Sequence, residues 1–132
     1  MIQEDKEKLE RSRKILNELK DARGGKLLAS HRMMGNDPNL INMFLQQYIN
    51  CNKHDISIPR KYRELIVMAI GMATGTDTTV KVHAKLAIEN GATLDELFEV
   101  IRIIFFTCGV TKLLPTLETF ADFFEVVSEE EN

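Results

Sequence analysis

The apolar run LIVMAIGMA, residues 65–73, most constrains what this chain can fold into. In a helix, it places apolar side chains on every side. A helix that is apolar all round has to be covered all round. The run is too short to span a bilayer, which takes about 20 residues. The sequence therefore predicts a helix at the centre of a packed bundle.

Helical spacing of apolar residues accounts for most of the remaining chain. Glycine and proline separate the segments, because glycine ends helices and proline suits their first turn. No stretch shows strand alternation, and 132 residues are enough for one stable domain. We predict an all-α bundle of about six helices in a single domain, 1–132. The predicted helices cover 3–22, about 38–49, 59–74, 77–90, 94–108 and 112–127.

Composition excludes several classes of function. The formal net charge of −3 argues against a nucleic-acid surface. The N-terminal segment is charged and lacks an apolar signal core, so we expect a cytoplasmic protein without membrane insertion. Two cysteines form no disulfide framework, and His31 and His54 lack the spacing of metal ligands. We expect neither a metal nor another cofactor.

The helices predicted over 59–74, 77–90 and 94–108 share one further property. Together they carry more apolar surface than a bundle of this size readily hides. Exposed apolar patches of more than a few hundred Å² usually mark an interface. The sequence therefore predicts a homo-oligomer that assembles through these helices.

A carboxylate and an imidazole stand on neighbouring predicted helices. Glu64 has Met68 and Gly71 on its own face, where an unpaired charge is costly. The short turn at Gly75 predicts an antiparallel hairpin that brings Glu64 and His83 to one side. At 1.5 Å rise per residue they differ in height by roughly 6 Å, a gap that two side chains and a water can bridge.

Two threonines extend this polar group. Thr76, Thr79 and His83 fall on one helical face, which predicts a polar strip aimed into apolar surroundings. Alternatively, the threonines cap the helix or bond to the preceding turn, and His83 is a core histidine. Arg60 and Arg63 are candidates to anchor a substrate carboxylate, or else solvated cations.

Residues 58–110, IPRKYRELIVMAIGMATGTDTTVKVHAKLAIENGATLDELFEVIRIIFFTCGV, resemble the carboxymuconolactone decarboxylase family, which shares the AhpD-like fold. The resemblance covers about 38–124 and leaves 1–37 as an N-terminal helix and loop. The redox branch of the family carries Glu, eleven residues, Cys, two residues, Cys, three residues, His. Here Glu64, Thr76, Thr79 and His83 fill this frame. Thiol peroxidase chemistry needs a thiolate and a resolving thiol, so it is excluded at these positions.

The resemblance implies a function as well as a fold. Its decarboxylase branch implies that Glu64 and His83 transfer a proton to a carbanion-like or enolate centre after carbon dioxide is lost. We expect a small carboxylated or lactone-like substrate, with Thr76, Thr79 and Arg63 as the substrate contacts. The family also implies a trimer or hexamer.

Two other functions remain open at this point. The first is an AhpD-like antioxidant that reduces peroxide through a relocated thiol, either Cys51 or Cys108. We expect Cys51 to be exposed and Cys108 to be an inert core cysteine. The second is an oligomeric scaffold without catalysis, in which the pair of Glu64 and His83 is structural.

Overall fold

The computed structural model describes residues 1–129, and every regular element in that part is a helix. The predicted all-α fold is thereby confirmed. The chain divides into two compact units, Met1–Ile56 and one that begins at Ser57. Seven helices lie within the described residues: α1 Lys6–Ala22, α2 Ala29–Met34, α3 Pro38–Asn52, α4 Arg60–Thr74, α5 Asp77–Glu89, α6 Leu94–Cys108 and α7 Val110–Ala121.

The first unit contains α1, α2 and α3, packed around Leu19, Ile41 and Leu45. The side chain of Asp37 accepts a hydrogen bond from the backbone N–H of Asn39, and Pro38 is the first residue of α3. This is the predicted helix start. It works because proline lacks the N–H group that a first turn leaves unpaired.

Helix α2 is the element missing from the sequence prediction. Its six residues are too few to show a helical period. The ring of His31 stabilises its first turn, because Nδ1 accepts a hydrogen bond of 3.0 Å from the backbone N–H of Leu28. His31 is buried and packs against Phe44. Burial, together with the charges of Arg23 and Arg32, lowers the pKa of His31 and so keeps Nδ1 an acceptor.

The second unit is built around the hairpin of α4 and α5. Gly75 ends α4 with φ of 73°, the left-handed conformation that favours glycine. Gly71 lets the two helices approach closely, since a Cβ there would lie 2.9 Å from Cγ2 of Thr79 and 3.1 Å from the backbone N of Val80. The core of this unit comprises Leu65, Met68, Met72, Val80, Ala84, Ala87, Ala92, Leu97, Ile101, Ile104 and Phe120.

Helix α6 begins with a capping box. The Thr93 hydroxyl accepts from the backbone N–H of Glu96, and the Glu96 carboxylate accepts from the backbone N–H of Thr93. The other oxygen of that carboxylate accepts from Lys61 Nζ at 2.9 Å, which ties α6 to α4. One side chain thus caps one helix and fixes its position against another.

The last helix differs from its prediction. Helix α7 begins at Val110, directly after Gly109, and contains Pro115 within its length. It ends at Ala121 rather than near residue 127. Just beyond this end, the rings of Phe123 and Phe124 pack against that of Phe120 at 5.4 and 5.2 Å.

Helix α4 is only partly covered by its own chain. Its Leu65 and Met68 are buried, whereas Ile66 and Ile70 are 47% and 55% exposed. Phe106 of α6 is also exposed. No helix within residues 1–129 has both the length and the apolar composition to cross a membrane.

Candidate functional site

Glu64 and His83 are in direct contact in the second unit. Nδ1 of His83 lies 2.5 Å from Oε2 of Glu64. The Glu64 side chain is 6% exposed and that of His83 is 28% exposed. The sequence predicted a wider gap that could hold a water, but the close approach of α4 and α5 at Gly71 brings the two groups together without one.

Arg60 is the third member of this group. It lies one helical turn before Glu64, and its Nε donates to Glu64 Oε1 at 2.5 Å. The two oxygens of one carboxylate therefore bind two different partners. Arg63, which was predicted to contact the substrate, is adjacent to Glu64 in the chain and is partly buried. The signal for Arg60 was its i, i+4 spacing from Glu64, which places both side chains on one helix face.

Burial and hydrogen bonding shift the pKa of Glu64 in opposite directions. Burial is the largest and raises its pKa, because a carboxylate loses hydration there. Hydrogen bonds from His83 and Arg60, with their positive charges, lower the pKa by more in sum, to below the ordinary 4.5. Glu64 is therefore ionised at neutral pH.

The ionised carboxylate fixes the tautomer of His83. A carboxylate can only accept hydrogen bonds, so Nδ1 of His83 has to carry the proton between them. In the neutral ring, Nε2 then holds the lone pair, and in the charged ring Nε2 is a second donor. Nε2 has no bonded partner within residues 1–129, and the ring is partly exposed. The pair can therefore accept or release a proton at Nε2.

The lowered pKa of Glu64 predicts how stability depends on pH. Its contribution is fully present above about pH 4.5, the value for the unfolded chain, and is lost as the pH falls through the lower folded pKa. Glu64→Gln removes this dependence. The difference in free energy of unfolding between wild type and Glu64→Gln should therefore shrink as the pH falls below 4.5.

Urea denaturation across this pH range measures the difference. Glu89→Gln, on the exposed side of α5, is the matched control and should show a smaller pH-dependent difference. A gap between wild type and Glu64→Gln that stays constant with pH would contradict the assignment of Glu64 as a paired carboxylate.

The two threonines lie differently from the predicted strip. Thr76 is exposed, makes no side-chain cap to α5, and has its hydroxyl 3.1 Å from that of Thr74. Thr79 is partly buried, with its methyl group close to Gly71. The prediction that both hydroxyls point into apolar surroundings is thus wrong for Thr76. Substrate contact by either residue stays a prediction.

Both cysteines are exposed. This was expected of Cys51 but not of Cys108, which was predicted to lie in the core. Cys108 is the last residue of α6, where the neighbouring Phe106 and Thr107 are exposed too. An apolar sequence alone could not show that this helix end lies outside the packed core. Among residues 1–129, no three His, Cys, Asp or Glu side chains are grouped so that they could hold a metal ion.

A protein-family model matches the part of the chain that contains this site. The sequence model of the carboxymuconolactone decarboxylase family matches residues 44–122, more than half of the chain. The chain belongs to the carboxymuconolactone decarboxylase family. No curated protein and no solved structure matched it.

Family membership covers the whole site. The matched region runs from within α3 to the residue after α7, and so includes Arg60, Glu64 and His83. The family resemblance predicted from the sequence is confirmed over residues 44–122, as is the all-helical, AhpD-like fold. This family member has threonine at positions 76 and 79.

Proposed function

We propose that this family member transfers a proton in a decarboxylase-like or lyase-like reaction on a small carboxylated or lactone-like substrate. The observation that carries the proposal is the direct contact between Glu64 and His83. A buried, ionised carboxylate on Nδ1 orients the imidazole and fixes its tautomer. It leaves Nε2, on the partly exposed ring, to exchange a proton with the substrate.

The proposed reaction begins with the loss of carbon dioxide and ends with protonation of the substrate. The carbon–carbon bond to a substrate carboxylate breaks, carbon dioxide leaves, and the bonding electron pair stays on the substrate as a carbanion or enolate. The Nε2–H bond of protonated His83 then breaks, and its proton forms a new carbon–hydrogen bond. The ring becomes neutral and regains a proton from solvent. Glu64 stays ionised throughout and holds the ring in position.

Carbon dioxide release tests this function. The family's name supplies the first substrate to try, carboxymuconolactone. We expect the purified wild-type protein to release carbon dioxide from it, or from a related lactone acid, well above the uncatalysed rate. Failure with carboxymuconolactone and with a panel of lactone acids would contradict the proposal.

The antioxidant function would use one of the two exposed cysteines and is tested by measuring peroxide consumption. We expect no protein-dependent consumption of hydrogen peroxide with dithiothreitol or dihydrolipoamide as reductant, because threonine at 76 and 79 supplies no thiolate. A double variant, Cys51→Ser with Cys108→Ser, is the control. Peroxide consumption that the double variant lacks would favour a relocated thiol over proton transfer.

We also propose that the protein is a homo-oligomer. Support comes from apolar side chains left exposed on α4 and α6, among them Ile66, Ile70, Ile103 and Phe106. Burying such side chains in an interface removes apolar surface from water, which favours association. Sedimentation equilibrium should give a multiple of the chain mass, with a trimer or hexamer expected, and a single species of one chain would contradict the proposal.

A further inference from the structure

The guanidinium of Arg60 has unused donors beside the proposed proton-transfer pair. Its Nε is hydrogen bonded to Glu64. Within residues 1–129 its terminal nitrogens have no bonded acceptor, and the side chain is 54% exposed. Guanidinium carries five N–H donors in a rigid plane, so most of its capacity remains available.

Arg60 belongs to the same hydrogen-bonded group as His83. Arg60 and His83 bind opposite oxygens of the same Glu64 carboxylate. A ligand on the terminal nitrogens of Arg60 would therefore bind beside the group that holds the imidazole ring. Because both side chains are partly exposed, such a ligand can reach them from solvent.

The charge of Arg60 favours an anion at this position. The ionised Glu64 alone would repel a substrate carboxylate. Arg60 offsets that charge and, unlike lysine, presents two parallel N–H groups that match the two oxygens of a carboxylate. Its bond to Glu64 limits the rotation of the guanidinium, so less conformational freedom is lost when a second carboxylate binds.

We propose that the terminal nitrogens of Arg60 bind a carboxylate of the substrate and so hold the reacting carbon beside Nε2 of His83. This inference rests on the proposed function, because it assigns a receptor for the substrate of the same site. It names Arg60, rather than its neighbour Arg63, as the residue that recognises the anion.

Affinity for a simple lactone acid tests the inference without turnover. The probe is 5-oxotetrahydrofuran-2-carboxylate, its methyl ester is the uncharged control, and calorimetric titration measures binding. Arg60→Gln should weaken binding of the acid by about tenfold, the loss typical of a charge-assisted hydrogen bond, and leave ester binding unchanged. Lys81→Gln, at an exposed position of α5, removes the same charge elsewhere and should change neither.

Two further variants make the test independent of any folding defect. Glu64→Gln keeps an acceptor oxygen for Arg60 Nε but removes the negative charge that repels the acid, so it should bind the acid more tightly than wild type. Arg60→Lys keeps the charge without the planar fork and should bind the acid with intermediate affinity. Equal acid affinity in wild type and Arg60→Gln would overturn the inference, as would weaker binding in Glu64→Gln, or no binding by wild type at the highest soluble concentration.

The outcomes also separate this inference from the proposed function. Suppose that wild type releases carbon dioxide but that Arg60→Gln binds the acid as tightly as wild type does. This result would overturn the role of Arg60 and leave the proton-transfer proposal intact. Acid affinity that depends on Arg60, in a protein without turnover, would contradict the proton-transfer proposal alone.

Discussion

Replacing His83 with alanine is expected to lower the rate of carbon dioxide release by about 10²–10⁴-fold, the range that a positioned general acid or base contributes. The variant keeps Arg60 as a partner for the buried Glu64 carboxylate, so it should remain folded. Initial rates at saturating substrate, with circular dichroism on the same samples, measure both effects.

His54→Ala is the matched control, because His54 is an exposed histidine outside the proposed site. It should retain the wild-type rate. The same experiment separates catalysis from the scaffold alternative, in which Glu64 and His83 serve only stability. A His83→Ala protein that is less stable but as active as wild type would support the scaffold and contradict proton transfer by His83.

Replacing Gly71 with alanine is expected to reduce the free energy of unfolding by about 1–3 kcal/mol, the usual cost of an overpacked core position. The added Cβ would lie 2.9 Å from Cγ2 of Thr79, closer than real Cβ atoms approach. Within a helix, alanine is more favourable than glycine by up to about 1 kcal/mol. A net loss of stability would therefore show that the clash between α4 and α5 outweighs this gain. Urea denaturation measures the change.

A second substitution identifies the cause of this loss. Thr79→Ser removes the methyl group that the new Cβ meets, so adding it to Gly71→Ala should restore part of the stability. The backbone N of Val80, 3.1 Å from the same Cβ, keeps the recovery incomplete. A Gly71→Ala protein as stable as wild type would contradict the close approach of α4 and α5.

Local signals in the sequence were enough to place several helix ends. Asp37 and Pro38 mark the start of α3, because the Asp37 side chain accepts a backbone hydrogen bond and proline suits the first position. Thr93 and Glu96 mark the start of α6, because each side chain accepts from the backbone N–H of the other residue. Gly75 marks the turn for a similar reason. Once α4 and α5 are known to be antiparallel, the spacing of Glu64 and His83 brings them to one side.

Other features depend on packing that no local pattern records. Whether Cys108 lies in the core depends on which neighbours cover the end of α6, and its apolar surroundings in sequence gave the wrong answer. The direct contact of Glu64 with His83 depends on the helix separation that Gly71 permits. The choice between Arg60 and Arg63 as partner of Glu64 required side-chain geometry, although helical spacing favoured Arg60.

The measurement that tests the central claim most directly is the stereochemistry of proton delivery. If His83 donates the proton, the wild-type reaction in deuterium oxide should place one deuterium on a single face of the carbon that receives it. The slow residual reaction of His83→Ala should label both faces. Wild-type product labelled equally on both faces would mean that solvent rather than a positioned imidazole supplies the proton, and would contradict the assignment of His83.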